Sequence, residues 1–168
     1  NRDIILVREN AKGIDMEKML FIADLADMKR FAAAVAAAVK PGFVIGLGGD
    51  LGSGKTTFTK YLAEAMGIRD VVNSPTFTIL KIYRGNPPLY HMDVYRLEQI
   101  GYDWSLEEFI GGDGVAVIEW YPYVKTMLPE AMLTVDIKAT GETAREIRIG
   151  GTGDYGQTVA DVVRRYGH

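Results

Sequence analysis

At 168 residues, with 48% hydrophobic and 24% charged residues, the chain has the size and composition of one folded globular domain, which excludes a disordered chain. Its net charge of -3, from 19 Lys plus Arg against 22 Asp plus Glu, provides no positive field that would gather nucleic acid unaided, so an RNA role calls for a partner. The absence of cysteine excludes disulfides, thiol nucleophiles and thiolate metal sites, and suits a reducing cytoplasm.

The first ten residues carry Arg2, Asp3, Arg8 and Glu9 and show no secretory signal. The longest apolar run, Phe31 to Val39, is far short of the ~18 residues of a membrane span, and a cytoplasmic location is expected. Residues 1–20 suggest no task and read as a variable extension of a single domain spanning 1–168. Met28, Phe31, Ala32, Val35 and Val39 recur at steps of three and four, predicting a helix that Pro41-Gly42 stops. Phe43 to Leu47 predicts a strand, followed by a glycine-rich loop and a helix over Thr56 to Met66.

Thr76 to Tyr83 and Leu89 to Asp93, separated by a Gly-Asn-Pro-Pro turn, predict a hairpin-like pair of strands. Ser105-Leu106-Glu107-Glu108 has capping-box spacing at the start of a short helix. Val115 to Ile118 is continuously apolar, as in a strand covered on both faces, and Glu119 stands at its carboxyl end. Ala131 to Ile137 and Arg145 to Ile149 read as two further strands, and Val159 to Tyr166 as a closing helix. Between them, Gly151-Thr-Gly-Asp-Tyr-Gly156 fits a dinucleotide fingerprint, but the sequence ends before the acidic residue expected about 20 positions later, and the segment reads as a loop. The sum predicts an α/β fold: one P-loop domain with a mixed, mostly parallel sheet and helices on both faces.

The chemistry concentrates in Gly49-Asp50-Leu51-Gly52-Ser53-Gly54-Lys55-Thr56. The glycines let the backbone curl its N–H groups toward phosphate, the following helix points its positive end at the anion, and Lys55 reaches the outer phosphates. The Thr56 hydroxyl suits magnesium, and Thr57 completes the candidate nucleotide-binding set. Magnesium with ATP also needs a carboxylate at the end of a neighbouring strand. Glu119 and Asp93 both qualify, to hold a metal-bound water or to orient the attacking water, and with Lys55 they form the candidate catalytic set. Asp93 also suits a helix cap. Ser74 and Thr76, in Ser74-Pro75-Thr76, read either as a switch loop sensing the nucleotide or as an ordinary turn. His91 reads as a structural histidine, and Trp120, Tyr121 and Tyr123 either stack on a base or partner or pack in the core.

Taken in order, GGDLGSGKTTF, SPTFTI, HMDVYRL and VIEW resemble the bacterial tRNA threonylcarbamoyladenosine biosynthesis ATPase family TsaE, also called YjeE, over residues 26–130. The P-loop is shared by many families, whereas the combination of the four segments is specific to this one. The resemblance implies a small ATPase, weak alone, that works with TsaD and TsaB in attaching a threonylcarbamoyl group to adenosine 37 of tRNA, with tRNA contacted through those partners. It further implies that Thr56 and Glu119 serve magnesium, that Asp93 supports metal or water, that Thr76 belongs to a switch-like loop, and that Tyr95 and Arg96 lie near the nucleotide or the partner surface. The sequence departs from the family pattern at Met28, where a threonine is expected, and at Ala32, where glycine is common. Two other functions share the loop: a small-molecule kinase, for which no Arg-rich lid is visible, and a non-catalytic, nucleotide-dependent docking switch. No Asn-Lys-x-Asp or Thr-Lys-x-Asp segment is present to read guanine.

Overall fold

The computed structural model describes residues 4–11, 13–73 and 78–167. Its strands are β1 (Ile4–Asn10), β2 (Gly13–Ile22), β3 (Val44–Gly48), β4 (Leu80–Tyr83), β5 (Leu89–Asp93), β6 (Val115–Glu119), β7 (Leu133–Ala139) and β8 (Arg145–Gly151). The α-helices are α1 (Leu25–Ala36), α2 (Lys55–Ala65) and α3 (Tyr155–Tyr166). The strands form one sheet in the order β1-β2-β8-β7-β3-β6-β5-β4.

The α/β, mixed-sheet expectation holds, with a different balance. Parallel pairing is confined to the central strands, β7 with β3, β3 with β6 and β6 with β5. The four remaining pairings are antiparallel, so the sheet is not mostly parallel. The cause is chain connectivity: β1–β2, β4–β5 and β7–β8 are joined by short turns that permit only antiparallel neighbours. Residues 13–22, which the sequence leaves without an element, form β2 and pair with β8 from Met16↔Gly151 to Ile22↔Arg145. Residues 4–10 and 13–19 are therefore part of the sheet.

The two faces are covered differently. Met28, Phe31 and Val35 of α1, Phe58 and Leu62 of α2, and Val159 and Val162 of α3 share one core with Ile45, Leu47, Val117, Val135 and Ile147 of the sheet. Phe31 is fully buried, with its ring 5.7 Å from that of Phe58. On the other face, Tyr90, Met92, Ala116 and Ile118 pack under Leu97, Leu106 and Val124, which belong to 3-10 helices at Tyr95–Leu97, Trp104–Phe109 and Tyr121–Met127. Among the described residues, all three α-helices thus lie on one face, and the connections across the other contain only short 3-10 helices.

The termini of these elements follow local chemistry. Asp24 caps α1 by accepting from the Asp27 backbone N–H at 2.9 Å, and Asp27 reciprocates toward the Ala23 N–H at 3.0 Å. The capping expected of Ser105 is instead made two residues earlier, because Asp103 accepts from the Ser105 N–H at 3.0 Å and Ser105 is already helical. The Gly151–Gly156 segment is the turn from β8 into α3, as read. A Cβ on Gly156 would lie 1.6 Å from the Ile14 carbonyl oxygen, so glycine there is what lets α3 cross β2 so closely.

Candidate functional site

Because β3, β5 and β6 are parallel, their carboxyl ends meet at one edge of the sheet. Leu47 is in register with Glu119, and Glu119 with Asp93. The chain leaving β3 turns through residues 49–54 into α2, so the loop sits directly above both carboxylates. Gly49, Gly52 and Gly54 take φ of 140°, 77° and 109°, left-handed values that bend the loop and would strain any other residue. Gly54 precedes the first turn of α2, whose unpaired N–H groups open toward the loop.

Within this cradle, Lys55 is 7% exposed and its Nζ donates to the Gly49 carbonyl. The amine also lies 4.1 Å from the centre of the Trp120 ring. Burial lowers the lysine pKa below its ordinary value, and the carboxylates of Glu119, Asp93 and Asp50 oppose that shift. Asp93 moves the other way: desolvation raises its carboxyl and Glu119 adds to the effect, whereas the Tyr95 N–H, Lys55 and His91 act against it. Its Oδ1 accepts the Tyr95 N–H at 3.0 Å, although the N-cap of the following 3-10 helix is Val94, and Asp93 lines the cleft.

Glu119 is 3% exposed, and its Oε2 lies 2.7 Å from His91 Nε2. His91 is fully buried, and its Nδ1 has no hydrogen-bond partner. The Nε2-protonated tautomer therefore places a donor against the carboxylate. The histidine read from sequence as structural is thus joined to a candidate site residue. Trp120, immediately after Glu119, has a left-handed backbone (φ 62°, ψ 34°), which costs a non-glycine residue of order 1–3 kcal/mol. This bend aims the indole at Lys55 and packs it against Tyr123, stacked at 5.7 Å, and Tyr95, edge-on at 5.2 Å, two rings that also touch each other.

Asp50, Leu51, Gly52, Ser53, Gly54, Lys55, Thr56 and Thr57 line a cleft of about 290 Å³ with Asp93, Glu119, Trp120 and Arg145. Arg145 was not singled out from sequence. Its Nε donates to the Ser53 carbonyl at 2.6 Å, and its guanidinium also binds the carbonyls of Gly141, Glu142 and Ala144, fastening the loop to the β7–β8 turn. No local pattern marks an arginine at the start of a strand as a loop clamp. A second cleft of about 530 Å³ continues from the first past Asp50, Leu51, Asp93 and Trp120 to Thr78, Ile79, Tyr95 and Arg96. Ser74 and Thr76 lie outside the described residues. Met28 is buried but reaches a small recess against Gly54, Thr57 and Arg145, while Ala32 is wholly within the core.

The donor set suits a magnesium-bound triphosphate. The Ser53 Oγ is buried without a partner inside the loop, and Thr56, Asp93 and Glu119 supply hard oxygen ligands on the same cleft. No group of three or more His, Cys, Asp or Glu among the described residues could by itself hold a metal ion.

A strand, a glycine-bent loop and a helix start above strand-end carboxylates define a P-loop nucleoside-triphosphatase fold. The family model described as threonylcarbamoyl adenosine biosynthesis protein TsaE matches residues 22–147, and the chain belongs to the TsaE family. It is 45% identical over 141 residues to the tRNA threonylcarbamoyladenosine biosynthesis protein TsaE of Bacillus subtilis (strain 168), covering 83% of this chain and 89% of that protein. It is 41% identical over 125 residues to the protein of the same name from Treponema pallidum (strain Nichols), covering 73% and 93%. The crystal structure of Bacillus subtilis YdiB superposes with a TM-score of 0.77 at 36% identity, covering 95% of this chain and 97% of that one.

Proposed function

We propose that the protein binds and hydrolyses ATP with magnesium in the service of tRNA threonylcarbamoyladenosine biosynthesis, acting with TsaD and TsaB in the cytoplasm. The observation that carries this reading is the convergence of Lys55 with Asp93 and Glu119 in one cleft of a chain that belongs to the TsaE family.

In this reading the N–H groups of the Gly49–Lys55 loop and the Lys55 amine hold the phosphates, and Arg145 keeps the loop in shape through Ser53. Thr56, Asp93 and Glu119 would hold magnesium, which neutralises charge developing on the phosphoryl oxygens. Glu119, fixed by His91 at 2.7 Å, orients a water, with Asp93 in support. Trp120 and Tyr95 form an aromatic wall between the loop and the larger cleft, excluding solvent on that side. The four oxygen-bearing and cationic side chains sit on strand ends and a helix start, so their positions are set by the sheet itself.

The experiment is analysis of tRNA from cells depleted of the protein. Loss of threonylcarbamoyladenosine is the expected result; an unchanged level contradicts the reading. Steady transfer of phosphate to a metabolite with little hydrolysis would support a kinase instead.

A further inference from the structure

Between β5 and β6 the chain crosses the face of the sheet that carries the 3-10 helices. The stretch from Glu98 to Asp113 holds the acidic residues Glu98, Asp103, Glu107, Glu108 and Asp113 and no Lys or Arg, in a chain of net charge -3. The same stretch exposes large apolar side chains: Ile100 at 60%, Tyr102 at 46% and Trp104 at 57%. The Tyr102 and Trp104 rings lie 5.3 Å apart, inclined by 33°.

The three-residue period of the 3-10 helix explains why. Positions three apart eclipse, so Leu106 and Phe109 turn inward together, Leu106 at 4% exposure and Phe109 5.0 Å from the Tyr90 ring. Trp104 and Glu107 share another side and face solvent. This surface is held by its base: the Asp103 N–H meets the Met127 sulfur at 3.2 Å, Asp103 binds both the backbone and hydroxyl of Ser105, and Thr126 donates to the Gly101 carbonyl. An aromatic pair presented from a fixed base loses little entropy on binding. The 3-10 helix whose last residues anchor it, Tyr121–Met127, begins one residue after Trp120 of the P-loop cleft.

We infer that the Ile100–Tyr102–Trp104 surface docks a protein partner that presents arginine or lysine side chains beside an apolar residue. The aromatic faces accept a cation, Glu107 and Glu108 pair with it, and Ile100 supplies apolar area. Single-stranded RNA also stacks on aromatic rings, but it needs a positive groove for its backbone, and this stretch carries only carboxylates.

The inference rests on the proposed TsaD–TsaB pair, which serves as the probe. Binding of the full chain to that pair is measured by calorimetry at low and high salt with ATP and magnesium present. Replacing Tyr102 and Trp104 together by alanine should weaken binding about tenfold or more, as expected for central aromatic anchors. Glu107→Gln with Glu108→Gln should weaken it less and flatten its salt dependence. Wild-type ATP affinity in both variants verifies that they are folded. Wild-type affinity for the pair in both variants overturns the docking surface and leaves the partner reading standing, whereas failure of the wild type to bind the pair overturns both. Direct tRNA binding by the chain alone, lost on replacing the two aromatics, overturns the inference in favour of RNA.

Discussion

Lys55 and Glu119 occupy the same cleft, but they make separable predictions. In the proposed function Lys55→Ala removes a charge-assisted phosphate contact of roughly 1.5–3 kcal/mol, so ATP binding measured by calorimetry should weaken about tenfold to a hundredfold or more. Glu119→Gln keeps the shape of the side chain and removes its charge. Hydrolysis should fall on the order of a hundredfold while ATP affinity changes little, because the carboxylate acts on water or metal and not on the bulk of the nucleotide. Equal hydrolysis in the two proteins would show that Asp93 is the working carboxylate. His91→Leu strips the buried Glu119 of its partner at 2.7 Å and should lower stability by roughly 1.5–3 kcal/mol in urea unfolding. An unchanged midpoint would remove His91 from the site's support.

Asp136 gives a pH test at the same scale. Its carboxylate accepts the Tyr121 hydroxyl at 3.1 and 3.2 Å, and burial raises its pKa above the ordinary value, against the opposing pull of Tyr121 and Arg148. A carboxyl whose pKa is raised by folding favours the native state when protonated. That contribution is complete below the unfolded pKa of about 4 and is lost as pH rises through the raised folded value. Asp136→Asn should therefore raise Tm relative to wild type near pH 7, by an offset that shrinks as the pH falls toward about 4. An offset independent of pH would contradict this account.

At the scale of elements, the tightest joint is the crossing of α3 over β2. Gly156→Ala puts a methyl group 1.6 Å from the Ile14 carbonyl, which neither backbone can absorb, and should cost roughly 1–3 kcal/mol or more in thermal or urea unfolding. Wild-type stability would mean that the helix can move away freely. The legibility of the elements divides along similar lines. β3, the loop and α2 were readable because each is defined by neighbouring residues, and β6 because Val115 to Ile118 is buried on both faces. β1 and β2 were not: β1 is an edge strand, and β2 between Gly13 and Met19 is only partly buried, so neither shows a clean alternation. The Ser105 cap was misread because Asp103 offers an equally good oxygen two residues earlier. The 3-10 helices were invisible as such, since their three-residue period is too short-lived to separate from a turn. Asp93 and Glu119 could be named from sequence, but their meeting in register, the His91 contact and the Arg145 clamp arise only when distant segments pair.

For the whole molecule, the sheet order determines which chemistry is possible. Placing β3 between β7 and β6, with β5 beyond, brings Lys55 together with Asp93 and Glu119 at a single edge. The antiparallel margins carry none of that set apart from the Arg145 clamp. Family membership rests on a match over residues 22–147, and the structural likeness to YdiB extends over 95% of the chain. The proposed function has the Lys55 cleft binding ATP in the service of tRNA modification. It is tested most directly by measuring threonylcarbamoyladenosine in tRNA from cells whose only copy of the protein is wild type or Lys55→Ala, at matched protein levels. The account predicts normal modification with wild type and its loss with Lys55→Ala; full modification supported by Lys55→Ala would contradict it.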